Sequence, residues 1–247
     1  MINNEAESLM HTEILSYEAD GLLMQSHLYF EDGASRRPGI LVFPEAFGLS
    51  QHAKNQAERL AGLGYATLAC DLHGEGKLFS DLKSVSGILE RLRNEPSHIR
   101  ARAKGGLESL IARPEVDSSR VGAIGYCFGG TMALELARDG SQIAGVVGFH
   151  SGLATVAPQD ARNIKGKVLV CIGADDPVIP ADQRTDFEKE MRNGGVDWQM
   201  HLYGGVVHSF TNPEADKAGR TEISRYNAKA ADRSWASMLA FLKEIFE

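Results

Sequence analysis

The 247-residue sequence predicts an α/β fold with a mostly parallel central sheet of about eight strands and helices on both faces. Three observations predict it. Short, nearly continuous apolar segments alternate with amphipathic segments of helical length, which is typical of parallel strands buried on both faces. The first two strands instead flank the turn Asp20-Gly21, as in an antiparallel hairpin. No linker, charge run or repeat divides the chain, so residues 1–247 are interpreted as one domain.

The elements follow in order from changes in periodicity. The hairpin is predicted at residues 13–17 and 22–30, and Pro38 then precedes an apolar strand at 39–43. An amphipathic helix at 51–63 leads to a strand at 65–70, a looser region at 73–96 and a helix at 97–112. The second half alternates in the same way, with strands at 120–124, 143–149, 167–172 and 197–203 and helices at 130–139, 182–192 and 228–246.

Composition restricts the possible functions. The formal net charge of −7 argues against a nucleic-acid surface, and no apolar run approaches the length of a membrane span. Three cysteines form no disulfide framework, and no Cys/His cluster suggests a metal site. The amino terminus has no signal-peptide pattern, so the simplest interpretation is a cytoplasmic protein with reduced thiols.

The segment Gly125-Tyr126-Cys127-Phe128-Gly129 fits a nucleophile elbow, with cysteine where serine is usual. A sharp turn from strand to helix leaves no room for flanking side chains, which explains the two glycines. Cys127 would stand at a helix N-terminus, where backbone amides favour a thiolate. The N–H of Phe128 could face a developing oxyanion. A buried structural cysteine in a glycine-rich turn explains the short motif equally well.

A catalytic thiol requires a base and a group that orients the base. In chains with such an elbow, an acid and then a histidine follow the nucleophile. Of eight histidines, His201 and His208 follow a suitable acid, and His208 is preferred because it lies in a glycine-containing loop rather than within a strand. Asp175 and Asp176 are the available acids, and Pro177 favours Asp176 because it restricts the preceding residue. Both aspartates could instead simply form the turn.

Glu45 directly follows the buried strand at 39–43, in the loop that supplies the second oxyanion N–H in this architecture. A carboxylate beside a thiolate would repel it, so this position is unusual unless Glu45 has a role. An exposed loop acid is the alternative.

These segments together resemble the dienelactone hydrolase family, a cysteine-nucleophile branch of the α/β hydrolases. The resemblance covers nearly the whole chain, in family order, and is carried by four segments: Glu45-Ala46-Phe47-Gly48, Gly125 through Gly130, Gly173 through Pro180, and His208-Ser209-Phe210.

The resemblance implies an α/β-hydrolase fold and a triad of Cys127, Asp176 and His208. It implies that Glu45 contacts the resting cysteine and accepts its proton when substrate displaces the thiol. The backbone N–H groups of Ala46 and Phe128 would form the oxyanion hole. No metal or organic cofactor is expected.

The sequence departs from the family at two positions that bind the substrate carboxylate through arginine. Asn212 stands four residues after His208, and the loop from Asp71 to Glu75 contains no arginine. We therefore expect a neutral ester or lactone rather than an anionic dienelactone. Six further residues are expected to shape the pocket, although simple rim structure explains each equally well: Phe47, His73, Phe79, His150, Ser151 and Phe210.

The sequence thus predicts a hydrolase of small carboxylic esters or lactones that acts through a thioester, as a monomer or small homo-oligomer. Two alternatives stay open. The chain could be a non-catalytic ligand-binding protein or redox-sensing thiol protein on the same fold, or it could hydrolyse an amide with the same residues.

Overall fold

The computed structural model describes residues 9–33 and 35–247. Within them, eight strands form one sheet: β1 (Met10–Ala19), β2 (Leu22–Glu31), β3 (Arg37–Phe43), β4 (Ala66–Ala69), β5 (Val116–Tyr126), β6 (Gly145–Phe149), β7 (Lys167–Gly173) and β8 (Trp198–Tyr203). The α-helices of the same residues are α1 (Gln51–Ala61), α2 (Leu82–Asn94), α3 (Pro96–Ile111), α4 (Phe128–Arg138), α5 (Ala181–Gly194) and α6 (Ala228–Phe246). Short 3₁₀ helices span Pro158–Asn163 and Ala215–Ala218.

The strands lie in the order β1-β2-β4-β3-β5-β6-β7-β8. The hairpin β1–β2 and the contact of β2 with β4 are antiparallel, and every pair from β4 to β8 is parallel. The predicted mostly parallel sheet is therefore confirmed. Its parallel strands all end at one edge, which brings together loops that are far apart in the chain.

Hydrophobic cores cover the two faces of the sheet. On β3, Leu41 and Phe43 join one core while Ile40 and Val42 join the other, because successive side chains of a strand point to opposite faces. Helices α2 to α5 pack on the first face, and α1 and α6 pack on the second. The strands between them are apolar on both sides for this reason.

Helix α2 occupies most of the region that the sequence predicted to be looser. Asp81 caps it by accepting a hydrogen bond from the Ser84 N–H at 2.9 Å. Val85, Leu89 and Leu92 recur at helical spacing and are buried. The cap and the apolar spacing both indicate a helix, but the serines and the glycine in this segment weaken that signal in the sequence.

A buried ion-pair network anchors α4. The Arg138 side chain, which is 0% exposed, lies 2.9 Å from Glu135 on its own helix and 2.7 Å from Glu190 on α5. Removing one partner of such a buried pair typically costs about 3–5 kcal/mol, because the other charge remains buried alone. This network fixes the helix that follows the candidate nucleophile.

Candidate active site

Cys127 lies in the sharp turn between β5 and α4. Its backbone has φ of 54° and ψ of −118°, an unusual conformation for a residue with a side chain. Its N–H donates to the carbonyl of Phe149 at 2.9 Å, which ties the turn to β6. Cys127 is partly exposed, whereas Cys70 and Cys171 are buried. Burial raises the pKa of both of those thiols, that of Cys171 to about 12.

The glycines around Cys127 permit two close backbone contacts. A Cβ atom on Gly125 would lie 2.0 Å from the carbonyl oxygen of Gly129, and one on Gly129 would lie 2.3 Å from that of Phe43. Flanking side chains would therefore collide, as the sequence predicted. The close contact of Gly129 with Phe43 also places the start of α4 next to the end of β3. Glu45 and Ala46 lie in the loop that follows this strand.

Three candidate residues form a continuous hydrogen-bonded chain. His208 Nε2 lies 3.1 Å from Cys127 Sγ, and His208 Nδ1 lies 2.7 Å from Asp176 Oδ2. The other carboxylate oxygen of Asp176 accepts the Val178 N–H at 2.8 Å. Asp176 is buried, whereas Asp175 is exposed. The structure thus selects one of the two adjacent aspartates for contact with His208.

The loop that carries His208 is held at its backbone. The His208 N–H donates to the Ile223 carbonyl at 3.0 Å, and the residue forms a parallel bridge with Ser224. His201, in contrast, lies on β8 and pairs with Ser237 at 3.1 Å. The expectation that His201 sits within a strand is confirmed.

The charge state of His208 depends on opposing effects. Burial by itself would lower its pKa, but the negative charge at Cys127 and the hydrogen bond to Asp176 outweigh burial and raise the pKa to about 10. These contacts therefore favour the protonated form of His208.

Glu45 is buried but does not share a hydrogen bond with Cys127. Its Oε1 lies 2.5 Å from His52 Nδ1 and accepts from Asn212 Nδ2 at 3.3 Å, while its Oε2 accepts from Ser50 Oγ at 3.1 Å. Burial would raise the pKa of Glu45, but the hydrogen bond and charge of His52 lower it overall. The contact with the resting cysteine that the resemblance implies is thus replaced by a contact with His52. Sequence reasoning missed His52, because its pairing with Glu45 depends on how the loop between β3 and α1 bends.

The two residues expected to form an oxyanion hole lie where the start of α4 meets the loop after β3. The N–H of Phe128 belongs to the first turn of α4, where amides have no partner inside the helix. Ala46 follows β3, and its carbonyl accepts a hydrogen bond from His73 Nε2 at 2.9 Å. That bond holds the Ala46 peptide in place beside the elbow.

The six residues expected to shape the pocket fall into two groups. Phe47 is 36% exposed at the rim, and His73 and Phe79 line a cavity of about 320 Å³ together with Arg91 and residues of α2 and α3. The other three differ from the expectation because their side chains are fully buried behind the site: His150, Ser151 and Phe210.

His150 supports His208 rather than facing solvent. Its ring packs edge-on against that of His208 at 5.2 Å, and its Nε2 lies 2.8 Å from Thr211 Oγ1. Burial, together with the nearby charge of His208, lowers the pKa of His150 well below its usual value. A neutral imidazole therefore packs beside the charged one.

Comparison with known proteins adds three relatives. The solved structure named m3DLH is 43% identical, has a TM-score of 0.93, and the match covers 96% of this chain and 99% of that one. A dienelactone hydrolase-like promiscuous phosphotriesterase from metagenomic libraries is 41% identical, with a TM-score of 0.91 and the same coverage of 96% and 99%. Protein usf of Aquifex pyrophilus is 26% identical over 238 residues, which cover 94% of this chain and 98% of the relative.

The sheet order and the turn that carries Cys127 define an α/β hydrolase. The sequence profile of the Dienelactone hydrolase family matches residues 24–246, and the chain belongs to that family. It is accordingly an ester or lactone hydrolase, which favours the enzymatic interpretation over a non-catalytic thiol protein. Among residues 9–33 and 35–247, no helix has both the length and the apolar character to cross a membrane.

Proposed function

We propose that this protein hydrolyses small carboxylic esters or lactones with Cys127 as nucleophile, His208 as base and Asp176 as the group that orients His208. The observation that carries the proposal is the chain of contacts at 3.1 Å and 2.7 Å that joins the three side chains. Hydrogen bonds of this length allow a proton to pass between sulfur and imidazole without rearrangement.

The reaction follows from these positions. The Cys127 sulfur attacks the carbonyl carbon, and the carbonyl electron pair moves to oxygen. The N–H groups of Ala46 and Phe128 stabilise that oxyanion. When the carbonyl re-forms, the alkoxide leaves with the proton that His208 holds, and a thioester remains. Water then gives a proton to His208 and attacks the thioester, which releases the acid and returns the thiolate.

The substrate we propose is neutral. Asn212 occupies the position at which the family has an arginine. Its amide nitrogen donates a hydrogen bond to Glu45. Glu75 is exposed in the loop after β4 and adds a negative charge there. Both features disfavour a carboxylate-bearing substrate.

Turnover of a chromogenic short-chain ester tests the proposal. Cys127→Ala should abolish it, whereas Cys171→Ala, which removes a buried thiol from β7, should retain it. Retained turnover in the Cys127→Ala variant would contradict the proposal.

A second candidate activity is hydrolysis of neutral phosphotriesters. The 41% identical relative is described as a promiscuous phosphotriesterase, and the proposed preference for neutral substrates suits such a molecule. Attack by the same sulfur at phosphorus would form a sulfur–phosphorus bond and expel the aryloxide, which takes a proton from His208. Water, giving its proton to His208, would then cleave the sulfur–phosphorus bond, release the dialkyl phosphate and return the sulfur of Cys127. Release of a nitrophenol from a dialkyl nitrophenyl phosphate tests it, with Cys127→Ala as the control for non-enzymatic release.

A further inference from the structure

His73 connects two loops at the carboxyl edge of the sheet. The loop between β3 and α1 (residues 44–50) carries Ala46, whose N–H is one of the two proposed oxyanion donors. The loop between β4 and α2 (residues 70–81) carries His73. His73 Nε2 lies 2.9 Å from the carbonyl oxygen of Ala46, and because a carbonyl only accepts, the proton is on Nε2. A side chain of one loop thus holds the backbone of the other.

The surroundings of His73 favour a single form of its ring. His73 is 7% exposed, and its Nδ1 is buried without a hydrogen-bond partner among the residues that the structure describes. A second proton at Nδ1 would bury a charged N–H that nothing accepts, which is costly. Burial lowers the pKa of His73 overall, although the hydrogen bond to Ala46 opposes it. The ring is therefore neutral, and its one proton points to Ala46.

The His73 ring is itself held in place. It lies edge-on to the ring of Phe79 with centroids 4.8 Å apart. The His73 backbone N–H donates to Asp71 Oδ1 at 3.0 Å. The Asp71 carboxylate is 1% exposed and accepts three more backbone N–H groups, those of Gln25, Gly74 and Gly76. These bonds fix the backbone from which the imidazole projects.

Ala46 is held at both of its peptide groups. The carbonyl of Glu45 belongs to the peptide that contains the Ala46 N–H, and it accepts from the Gly48 N–H at 3.1 Å. The carbonyl of Ala46 belongs to the next peptide and accepts from His73. The C=O and N–H of a trans peptide point in opposite directions, so these two bonds set the direction of the Ala46 N–H. Within residues 9–33 and 35–247 that N–H makes no backbone hydrogen bond, so it is available to a substrate oxygen.

We propose that His73 is a positioning residue for the oxyanion hole, which keeps the Ala46 N–H aimed at the substrate oxygen that becomes negatively charged. This role rests on the proposed function, because it requires a tetrahedral intermediate at Cys127. A donor that is in place before the reaction needs no reorganisation in the transition state, which is the source of its effect on rate. His73 touches no reacting atom and acts through Ala46. Its loss should therefore lower kcat rather than raise KM.

Substitution of His73 tests the proposal with an ester substrate. His73→Phe keeps an aromatic ring but removes the donor, and kcat should fall about 10- to 100-fold with KM changed less than about threefold. Deleting an oxyanion donor costs about 10²- to 10³-fold, and here the Ala46 N–H remains but is misaligned. His73→Gln supplies an amide N–H in place of Nε2–H and should restore kcat to within about fivefold of wild type. His201→Phe, which removes a partly buried histidine paired with Ser237, is the matched control and should retain wild-type kcat.

Two reagents that both react with the Cys127 sulfur distinguish a positioning role from general damage to the site. The sulfur adds reversibly to a trifluoromethyl ketone, and the tetrahedral adduct carries a negatively charged oxygen. The inhibition constant of this ketone should rise about 10- to 100-fold in His73→Phe, in parallel with the loss of kcat. Iodoacetamide alkylates the same sulfur by displacing iodide and creates no oxyanion. Its rate should change less than about twofold.

Three results would overturn the proposal. The first is a wild-type kcat in His73→Phe, and the second is an equal loss of ester turnover and of alkylation in that variant. The third is a His73→Gln variant as slow as His73→Phe, since the donor would then have no effect.

A measurement on the wild-type protein decides the matter if His73→Phe does not fold. Nitrogen NMR should show His73 protonated at Nε2 alone from about pH 6 to about pH 9. A ring protonated at Nδ1 would overturn the hydrogen bond to Ala46 on which the proposal depends. Retained ester turnover in Cys127→Ala would instead refute the proposed function, so the two failures are distinguishable.

Discussion

Replacing Asp176 by asparagine should disable the site while leaving its shape intact. One Asp176 oxygen accepts from His208 Nδ1 at 2.7 Å, and the other accepts from the Val178 N–H at 2.8 Å. An asparagine has a single oxygen, so it can satisfy only one of these donors. If its oxygen keeps the Val178 N–H, its NH₂ group faces His208 and forces the proton onto Nε2. The imidazole then cannot accept the proton of Cys127.

The expected loss of activity can be estimated from the two orientations that the asparagine amide can adopt. The analogous tautomer change in a serine triad costs about 10⁴ in rate, which corresponds to about 5 kcal/mol. The opposite amide orientation leaves two donors facing each other at Val178, which costs about 1–3 kcal/mol. We therefore expect kcat/KM to fall about 10³- to 10⁴-fold in Asp176→Asn.

The assay is hydrolysis of a chromogenic acetate or butyrate ester, with thermal unfolding measured in parallel. Asp175→Asn is the matched control, because Asp175 is adjacent in sequence but exposed. It should change kcat/KM less than about twofold, as surface substitutions usually do. A large loss of kcat/KM in Asp175→Asn with a small loss in Asp176→Asn would refute the assignment of the acid. Small losses of kcat/KM in both variants would refute the triad.

Three further predictions concern the fold, pH and substrate charge. Gly129→Ala should destabilise the protein by about 1–3 kcal/mol, because its Cβ would lie 2.3 Å from the backbone oxygen of Phe43. Gly87→Ala, at an open position of α2, should not destabilise it. Chemical denaturation compares the two variants, and equal stabilities would contradict the close contact at Gly129. Because the pKa of His208 is raised from 6.5 to about 10, the charged histidine stabilises the fold fully below pH 6.5 and loses that effect as the pH rises through the higher value. The Tm difference between wild type and His208→Asn should therefore shrink from pH 6 to pH 10. A Tm difference that grows over this range would contradict the prediction. The neutral methyl ester of a dienelactone should show a higher kcat/KM than the free acid, and Asn212→Arg should move the preference toward the acid; a clear wild-type preference for the acid would refute the substrate proposal.

The elbow could be predicted from sequence because its constraints are local. Backbone contacts within a few residues, and with the end of the neighbouring strand, require glycine at positions 125 and 129. A short sequence motif is therefore enough to predict the turn. The choice of His208 over His201 followed from loop position, and the choice of Asp176 over Asp175 followed from Pro177. In the structure His208 shares a hydrogen bond with Asp176, whereas His201 pairs with Ser237.

The rest depended on packing that no short segment encodes. His52 lies seven residues after Glu45, in the first turn of α1, and the two meet because the connecting loop turns back through hydrogen bonds from Gly48 to Glu45 and from Ser50 to Gly48. His150 lies at the carboxyl end of β6, as the sheet topology predicts, yet its side chain turns inward to Thr211 and His208. Strand order places a residue on the rim of the sheet, but only tertiary contacts decide which way its side chain points.

The identity of the acylated residue tests the central claim most directly. An activated ester with a slowly hydrolysed acyl group is mixed with the enzyme, the reaction is stopped in acid, and peptides are mapped by mass spectrometry. We predict a single acyl adduct on Cys127, absent from Cys127→Ala and accumulating in His208→Ala only at a much reduced rate. An adduct on Ser151 or Ser209, or turnover without any adduct on Cys127, would contradict the account.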